Sequence, residues 1–97
     1  MALRILYFSQ DGCMACEEQE PIIPEVEKDC NVKVERISIN PKLSRELIRE
    51  HRLSVTPTII LIRDGVEVER FEGLVYREQM DEAIRRLEQG LGRPAED

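Results

Sequence analysis

Two cysteines two residues apart, in Cys13-Met14-Ala15-Cys16, constrain this chain more than any other feature. They follow the apolar run 3–8, which predicts a buried strand, and they open a segment with helical character. The spacing lets the two sulfurs bond to each other in a small ring, and the N–H groups at a helix start favour a thiolate. A cysteine pair that joins a strand to a helix therefore predicts dithiol–disulfide chemistry.

Length and charge narrow the classes of protein to which the chain can belong. Its 97 residues suit one domain, 1–97, and 41 % hydrophobic with 35 % charged residues predicts a folded chain. The net charge of −6 argues against nucleic acid and against anionic membrane surfaces as partners. No apolar run approaches the roughly 20 residues that span a bilayer, and no signal peptide is visible. We therefore expect a cytoplasmic protein, and three cysteines fit poorly with a disulfide scaffold.

The apolar patterns alternate between strand and helix along the whole chain. They predict strands at 3–8, 32–39, 58–62 and 66–71, and helices at 13–29, 41–52 and 77–89. Asp64-Gly65 predicts a hairpin turn between the last two strands, and the alternation of charge in 66–71 predicts an edge strand. The order β-α-β-α-β-β-α predicts an α/β fold, with a four-stranded mixed sheet and helices on both of its faces.

Local signals refine the three helices. Pro21 and Pro24 predict kinks in the first helix, because each removes an internal hydrogen bond. Asn40 as N-cap and Pro41 at the first position predict the start of the second helix. Residues at three- and four-residue spacing predict the core-facing sides of the second and third helices. These are Leu43, Leu47 and Ile48 in the second, and Met80, Ala83, Ile84, Leu87 and Leu91 in the third.

Several of these features together resemble the thioredoxin family in its short form, over nearly the whole chain. Pro21 lies five residues after Cys16, where thioredoxins have a helix-kinking proline. The segment Val55-Thr56-Pro57-Thr58 resembles the family's loop with a cis-proline. Asp64-Gly65 matches the hairpin turn, and Gly73 matches the glycine before the last helix. The resemblance therefore implies the thioredoxin fold and a redox-active disulfide.

The resemblance also implies roles for individual residues. Cys13 would be the nucleophile and Cys16 the resolving thiol. Pro57 would be cis and lie beside the disulfide, while Thr56 would offer backbone groups to an extended substrate. Gly12 and Gly73 are further candidates for substrate binding.

The chain departs from the family where thioredoxins tune the resolving thiol. Gly12 stands in place of the usual Trp, Tyr7 in place of a buried acid, and Arg36 in place of that acid's basic partner. The proton of the resolving thiol would then pass to Tyr7, to water or to a nearby acid such as Glu17. Arg36, expected on a central strand, is either a side chain that reaches solvent at the strand end or a cation beneath the cysteine pair.

Acidic residues surround the cysteine pair, and no Lys, Arg or His occurs between Arg4 and Lys28. Because nearby anions disfavour a thiolate, we expect only a modest depression of the Cys13 pKa and a reducing pair. The same acids argue against a glutaredoxin-like site for anionic glutathione, since Gln10-Asp11 stand where basic residues are needed. The acids of this segment are Asp11, Glu17, Glu18, Glu20, Glu25 and Glu27.

The sequence thus predicts an oxidoreductase that reduces protein disulfides through Cys13 and Cys16, as a monomer and without a bound cofactor. Its electrons would come from a flavin-dependent disulfide reductase or from another dithiol carrier. The alternative is a redox-silent or metal-holding binding module with the same fold. A zinc site needs four ligands, and only Cys30 and His51 remain beside the pair, so no metal site is expected.

Overall fold

The computed structural model describes residues 3–90, which form a four-stranded sheet with four helices. In chain order the elements are β1 Leu3–Gln10, α1 Met14–Gln19, α2 Ile22–Cys30, β2 Val34–Ile39, α3 Arg45–His51, β3 Thr58–Arg63, β4 Val66–Glu72 and α4 Arg77–Glu88. The predicted order of strands and helices is confirmed, except that two helices occupy the place of the first predicted one.

The strands lie in the order β2-β1-β3-β4, and the sheet is mixed as predicted. β1 runs parallel to β2 and antiparallel to β3, and β3 pairs antiparallel with β4. Tyr7 on β1 therefore has Arg36 of β2 on one side and Ile59 of β3 on the other. The edge position of β4 is confirmed. β2 forms the other edge, so the expectation of a central strand for Arg36 is wrong.

The two prolines of the first predicted helix act differently from each other. Pro21 separates the helices, because it follows the end of α1 and is the N-cap of α2. Pro24 is the third residue of α2, where a backbone N–H has no partner within the helix to lose. The kink predicted at Pro21 is instead a break between two helices, and the loss of an internal hydrogen bond predicted at Pro24 is wrong.

The second predicted helix starts later than Asn40-Pro41 indicates. The Asn40 Oδ1 atom accepts hydrogen bonds from the backbone N–H groups of Lys42 and Leu43, at 2.8 and 3.3 Å. This side-chain turn holds the chain in a non-helical conformation, and α3 begins only at Arg45. Leu43 lies in the turn and is 86 % exposed, so its predicted place on the core-facing side is wrong.

Helices cover both faces of the sheet, as predicted. On one face, α2 and α4 pack against β1 and β3, and the core includes Ile5, Tyr7, Ile23, Val26, Ile59, Leu61, Met80 and Ile84. On the other face, α3 and the loop after it cover a smaller cluster of Leu6, Phe8, Ile39 and Ile60. The predicted core positions of α4 are buried as far as Leu87, and Leu91 lies outside the described residues.

The hairpin between β3 and β4 turns at Asp64 and Gly65, as predicted. Both residues have positive φ, 53° and 83°, which is the backbone conformation that suits a two-residue turn between twisted strands. None of the helices within residues 3–90 is both long and apolar enough to cross a membrane.

Candidate active site

Cys13 and Cys16 are joined by a disulfide at the start of α1, with their Cα atoms 5.2 Å apart. Cys13 is the N-cap residue of α1, and its Sγ accepts a hydrogen bond from the backbone N–H of Cys16 at 3.1 Å. Cys16, one turn into the helix, is 4 % exposed, whereas Cys13 is only partly buried. Cys13 therefore presents the sulfur that a substrate reaches first.

Thr56 and Pro57 lie against the exposed side of Cys13. Their peptide bond is cis, as the resemblance implied. The Cys13 Sγ atom lies 3.5 Å from the carbonyl oxygen of Thr56 and 3.5 Å from its Oγ1. Gly73 joins the same strip of backbone, because its N–H donates to the Pro57 carbonyl at 2.8 Å. The structure thus brings together Cys13, Thr56, Pro57 and Gly73.

Gly12 forms the turn that leads from β1 to the cysteine pair. Its φ of +74° is a left-handed conformation that strains any residue with a side chain. A Cβ built there would meet no atom within 4 Å, so backbone conformation and not crowding disfavours the Trp of the family pattern.

The Tyr7 hydroxyl lies beneath α1 and binds Glu20. The ring is fully buried on β1, and the hydroxyl lies 2.7 Å from Glu20 Oε2 and 3.2 Å from the Cys16 carbonyl oxygen. Burial first, and then the Glu20 carboxylate, raise the pKa of the Tyr7 phenol far above its usual value. Tyr7 therefore remains a neutral hydrogen-bond donor and does not act as a base.

Glu20 was not recognised from the sequence as a site residue, although its spacing carried a signal. It lies four residues after Cys16, and residues four apart share one side of a helix. Glu17, which was predicted, lies on the exposed side of α1 and makes no side-chain hydrogen bond within residues 3–90. Both acids border a cleft of about 200 Å³ beside the disulfide, lined by Ser9, Gln10, Asp11, Gly12, Cys13, Cys16, Glu17 and Glu20.

Comparison with known proteins decides the family. A family model described as "Thioredoxin-like domain" matches residues 3–88. The chain belongs to the thioredoxin-like family. It is 29 % identical over 79 residues to thioredoxin Y1 of Arabidopsis thaliana, a chloroplastic protein, covering 81 % of this chain and 44 % of that protein. It is also 29 % identical over 82 residues to thioredoxin 2 of Plasmodium berghei, covering 84 % of this chain and 52 % of the relative.

The chain therefore spans about half the length of these curated thioredoxins. Among solved structures, thioredoxin 1 of Thermosipho africanus superposes with a TM-score of 0.74 at 22 % identity. The match covers 89 % of this chain and 94 % of that one, which confirms the thioredoxin fold.

Arg36, which stands at a basic position of the thioredoxin pattern, binds an acid of its own at the sheet edge. Its Nη2 lies 3.1 Å from Glu27 Oε1, and Glu27 Oε2 accepts the Val34 N–H at 2.9 Å. The Arg36 bond, followed by the Val34 bond, lowers the pKa of Glu27. Among residues 3–90, Arg36 forms no hydrogen bond or ion pair with either cysteine. Its exposed side chain and its carboxylate partner at the sheet edge favour the first interpretation, a side chain that reaches solvent, and an electrostatic effect on the cysteine pair stays a prediction.

Gln19 is a second residue that the sequence did not reveal. Its side chain is fully buried in this thioredoxin-like domain, and its Nε2 donates to the Val75 carbonyl at 2.9 Å. Its Oε1 accepts the Val75 N–H, also at 2.9 Å. The paired bonds fix the loop that carries Gly73 and Val75 against α1. A polar residue between Glu18 and Glu20 reads as exposed in sequence, and only the packing of this loop reveals its burial.

The six acids of the segment 11–27 differ in whether they form ion pairs in the folded chain. Glu25 has Arg77 at 3.9 Å, and Glu27 has Arg36 at 3.1 Å. The other four, Asp11, Glu17, Glu18 and Glu20, form no ion pair within residues 3–90. The charge near the disulfide is therefore negative, and it comes from fewer residues than the sequence indicated.

Cys30 lies apart from the disulfide, in the contact between α2 and α4. Its thiol donates to Asp81 Oδ1 at 3.5 Å, and burial together with Asp81 raises the pKa of Cys30 to about 11. Across residues 3–90, no group of three or more His, Cys, Asp or Glu side chains is placed to hold a metal ion.

Proposed function

We propose that this domain is a thiol–disulfide oxidoreductase that reduces disulfides in other proteins. The observation that carries the proposal is the Cys13–Cys16 disulfide at the start of α1, with the more accessible sulfur beside the cis Thr56–Pro57 bond. Membership of the thioredoxin-like family supports the same activity.

The reaction we propose has two exchange steps. The Cys13 thiolate attacks one sulfur of the substrate disulfide, and the first substrate thiolate leaves. Cys16 then attacks Cys13 Sγ in the mixed disulfide, which releases the second substrate thiol and forms the Cys13–Cys16 disulfide. Two electrons pass from the dithiol to the substrate, and a dithiol donor must restore the reduced pair.

The strip made by Thr56, Pro57 and Gly73 is the proposed binding surface for the substrate chain. Thr56 keeps its backbone next to Cys13 Sγ, so an extended peptide that pairs with Thr56 brings its own sulfur to Cys13. Gly12 leaves the approach open, because no side chain projects from the turn before Cys13.

The proposed direction of the chemistry is reduction. Three carboxylates that line the cleft beside the disulfide, those of Asp11, Glu17 and Glu20, oppose a thiolate, while the Cys16 N–H favours a negative charge on Cys13 Sγ. A thiolate that is stabilised only modestly gives a dithiol that yields its electrons readily. The electron donor we propose is a flavin-dependent reductase or another dithiol carrier, as for thioredoxins in general.

A cytoplasmic location and a monomeric state remain part of the proposal. A free thiol at Cys30, in the same chain as a reversible cysteine pair, suits a reducing compartment. Cell fractionation and light scattering are the direct checks of these two points.

The activity is tested by reduction of insulin with dithiothreitol as electron donor. We expect wild-type protein to accelerate the reaction and Cys13→Ser to fall to the uncatalysed rate. Cys16→Ser should accumulate a mixed disulfide through Cys13, because the resolving thiol is missing. Cys30→Ser is the matched control, since it removes a thiol away from the pair, and it should retain turnover. Equal turnover by wild type and Cys13→Ser would end the proposal.

A further inference from the structure

The cleft beside the disulfide contains one carboxylate that the fold holds in place. Glu20 Oε2 accepts the Tyr7 hydroxyl at 2.7 Å, and the same hydroxyl lies 3.2 Å from the Cys16 carbonyl oxygen. The Tyr7 ring is fully buried on a central strand, so the hydroxyl is a fixed anchor beneath the turn of α1 that carries Cys16. One side chain thereby ties Glu20 to the helix turn of the resolving cysteine.

We propose that Glu20, held by Tyr7, accepts the proton of the Cys16 thiol when Cys16 resolves the mixed disulfide. This inference rests on the oxidoreductase function proposed above and assigns the proton transfer within it. Tyr7 is a positioning residue in this account, and Glu20 is the proton acceptor. Glu20 replaces the two protein candidates that the sequence offered, Tyr7 and Glu17.

The step balances without any further reactant. As the Cys16 S–H bond breaks, the proton passes across the cleft to the Glu20 carboxylate, directly or through one solvent molecule. The Cys16 sulfur forms the bond to Cys13 Sγ, and the bond from Cys13 to the substrate sulfur breaks with its electron pair on the substrate. The protonated Glu20 then returns its proton to the departing thiolate or to solvent.

Geometry favours Glu20 over the other two candidates. Tyr7 already donates its hydroxyl proton, and burial keeps that phenol neutral, so it has no capacity to receive a proton. Glu17 borders the same cleft but has no hydrogen-bond partner that fixes its side chain within the described chain. Only Glu20 combines a place in the cleft with a fixed anchor, and a fixed acceptor avoids the entropic cost of orientation during the reaction.

The Tyr7 bond uses only one of the two carboxylate oxygens. Glu20 Oε1 has no hydrogen-bond partner from residues 3–90, and Glu20 has no ion pair there. The anchored carboxylate therefore keeps one oxygen available for a proton.

The experiment separates the two exchange steps in single turnover. Reduced protein is mixed with the chromogenic disulfide dithiobis(nitrobenzoate), and absorbance follows the release of thionitrobenzoate. The first release reports attack by Cys13 and scales with reagent concentration, whereas the second reports resolution by Cys16 and does not. The double variant Cys13→Ser/Cys16→Ser gives the contribution of Cys30, which is subtracted.

We expect Glu20→Gln to slow the second release at about pH 7 by at least about tenfold. The deficit should narrow above about pH 9, where an ordinary thiol ionises without help. Tyr7→Phe should slow the same release by a smaller factor, because the acceptor remains but loses its anchor. Glu18→Gln is the control that removes the same charge. It should leave the rate of the second release at the wild-type value, and its first release should be as fast as that of Glu20→Gln.

Three results would overturn the assignment. The first is a second release from Glu20→Gln at the wild-type rate from about pH 6 to 9. The second is a slower second release in Glu17→Gln but not in Glu20→Gln. The third is a Glu20→Gln variant in which both releases slow by the same factor. Loss of the first release in wild-type protein is a different failure, because it would contradict Cys13 as the nucleophile and hence the proposed function itself.

Discussion

The two faces of the sheet differ in how completely the covering helices bury their side chains. On the face of α2 and α4, both helices contribute fully buried side chains, among them Ile23 and Ile84. On the face of α3, the helix buries none of its residues, and Ile48 and Leu53 only partly cover the strands. The face covered by α2 and α4, here called the deep face, therefore has a helix-on-sheet core. The face covered by α3, here called the thin face, has only a thin covering layer.

The candidate site is supported from the deep face. Tyr7 belongs to the larger core cluster, and Gln19 fixes the loop of Val75 from the same side. Atoms that must meet within a few tenths of an ångström are thus placed by packing that resists movement. The face of α3 borders the site through Gln10 and through the loop that leads to Thr56.

A pair of isoleucine truncations tests whether the two faces of the sheet are packed to different extents. We expect Ile84→Ala, on the deep face, to lower the free energy of unfolding by about 3–4 kcal/mol, because it leaves a cavity in a closed core. Ile48→Ala, on the thin face, should cost about 1 kcal/mol, because solvent already reaches that side chain. Urea unfolding followed by circular dichroism measures both. Equal losses would mean that the two faces are equally packed.

A second test removes the polar link between α1 and the last loop. Gln19→Leu keeps a side chain of similar size but leaves the N–H and carbonyl of Val75 buried without partners. We expect a loss of about 2–3 kcal/mol, since each such group costs about 1–3 kcal/mol. The exposed neighbour Glu18→Gln is the control and should stay within about 0.5 kcal/mol of wild type. An unchanged free energy of unfolding in Gln19→Leu would show that the link does not stabilise the deep face.

The smallest expected effect concerns an acid within the deep face. Burial, and then a hydrogen bond with Asp29, raise the pKa of Asp81, which also accepts the Cys30 thiol. A carboxyl whose pKa is raised by folding favours the folded state in its protonated form, so its contribution is lost as the pH rises through the folded pKa.

Asp81→Asn should therefore raise the melting temperature at neutral pH, because the amide removes the buried charge and still accepts from Cys30. The gain should shrink toward about pH 4, where the wild-type carboxyl becomes protonated in the folded and unfolded chains alike. Calorimetry of both proteins across this range measures the difference. A gain that does not change with pH would contradict the assigned cause.

Local patterns were sufficient for the strands, the hairpin and α4, because period and turn residues there agree with the final packing. The disulfide and the cis Thr56–Pro57 bond were also predictable, the first from spacing and the second from the resemblance. The start of α3 was not, because the Asn40 side chain bonds to the following turn and does not cap the helix.

The missed site residues have a common cause. Glu20 and Gln19 acquire their roles from partners far away in sequence, Tyr7 on β1 and Val75 before α4. Arg36 was expected on a central strand for a related reason. The residues of β2 alone do not show that β2 lies at the edge of the sheet. Helix spacing from Cys16 narrows the candidates, and the tertiary contacts choose among them.

The most direct test of the central claim is the redox equilibrium of the Cys13–Cys16 pair in dithiothreitol buffers, followed by thiol alkylation and mass spectrometry. We expect one reversible two-electron transition at a reducing potential of about −270 mV. Absence of a reversible transition would contradict the redox function. A potential of about −120 mV, typical of strong dithiol oxidants, would contradict the effect assigned to the three carboxylates that line the cleft.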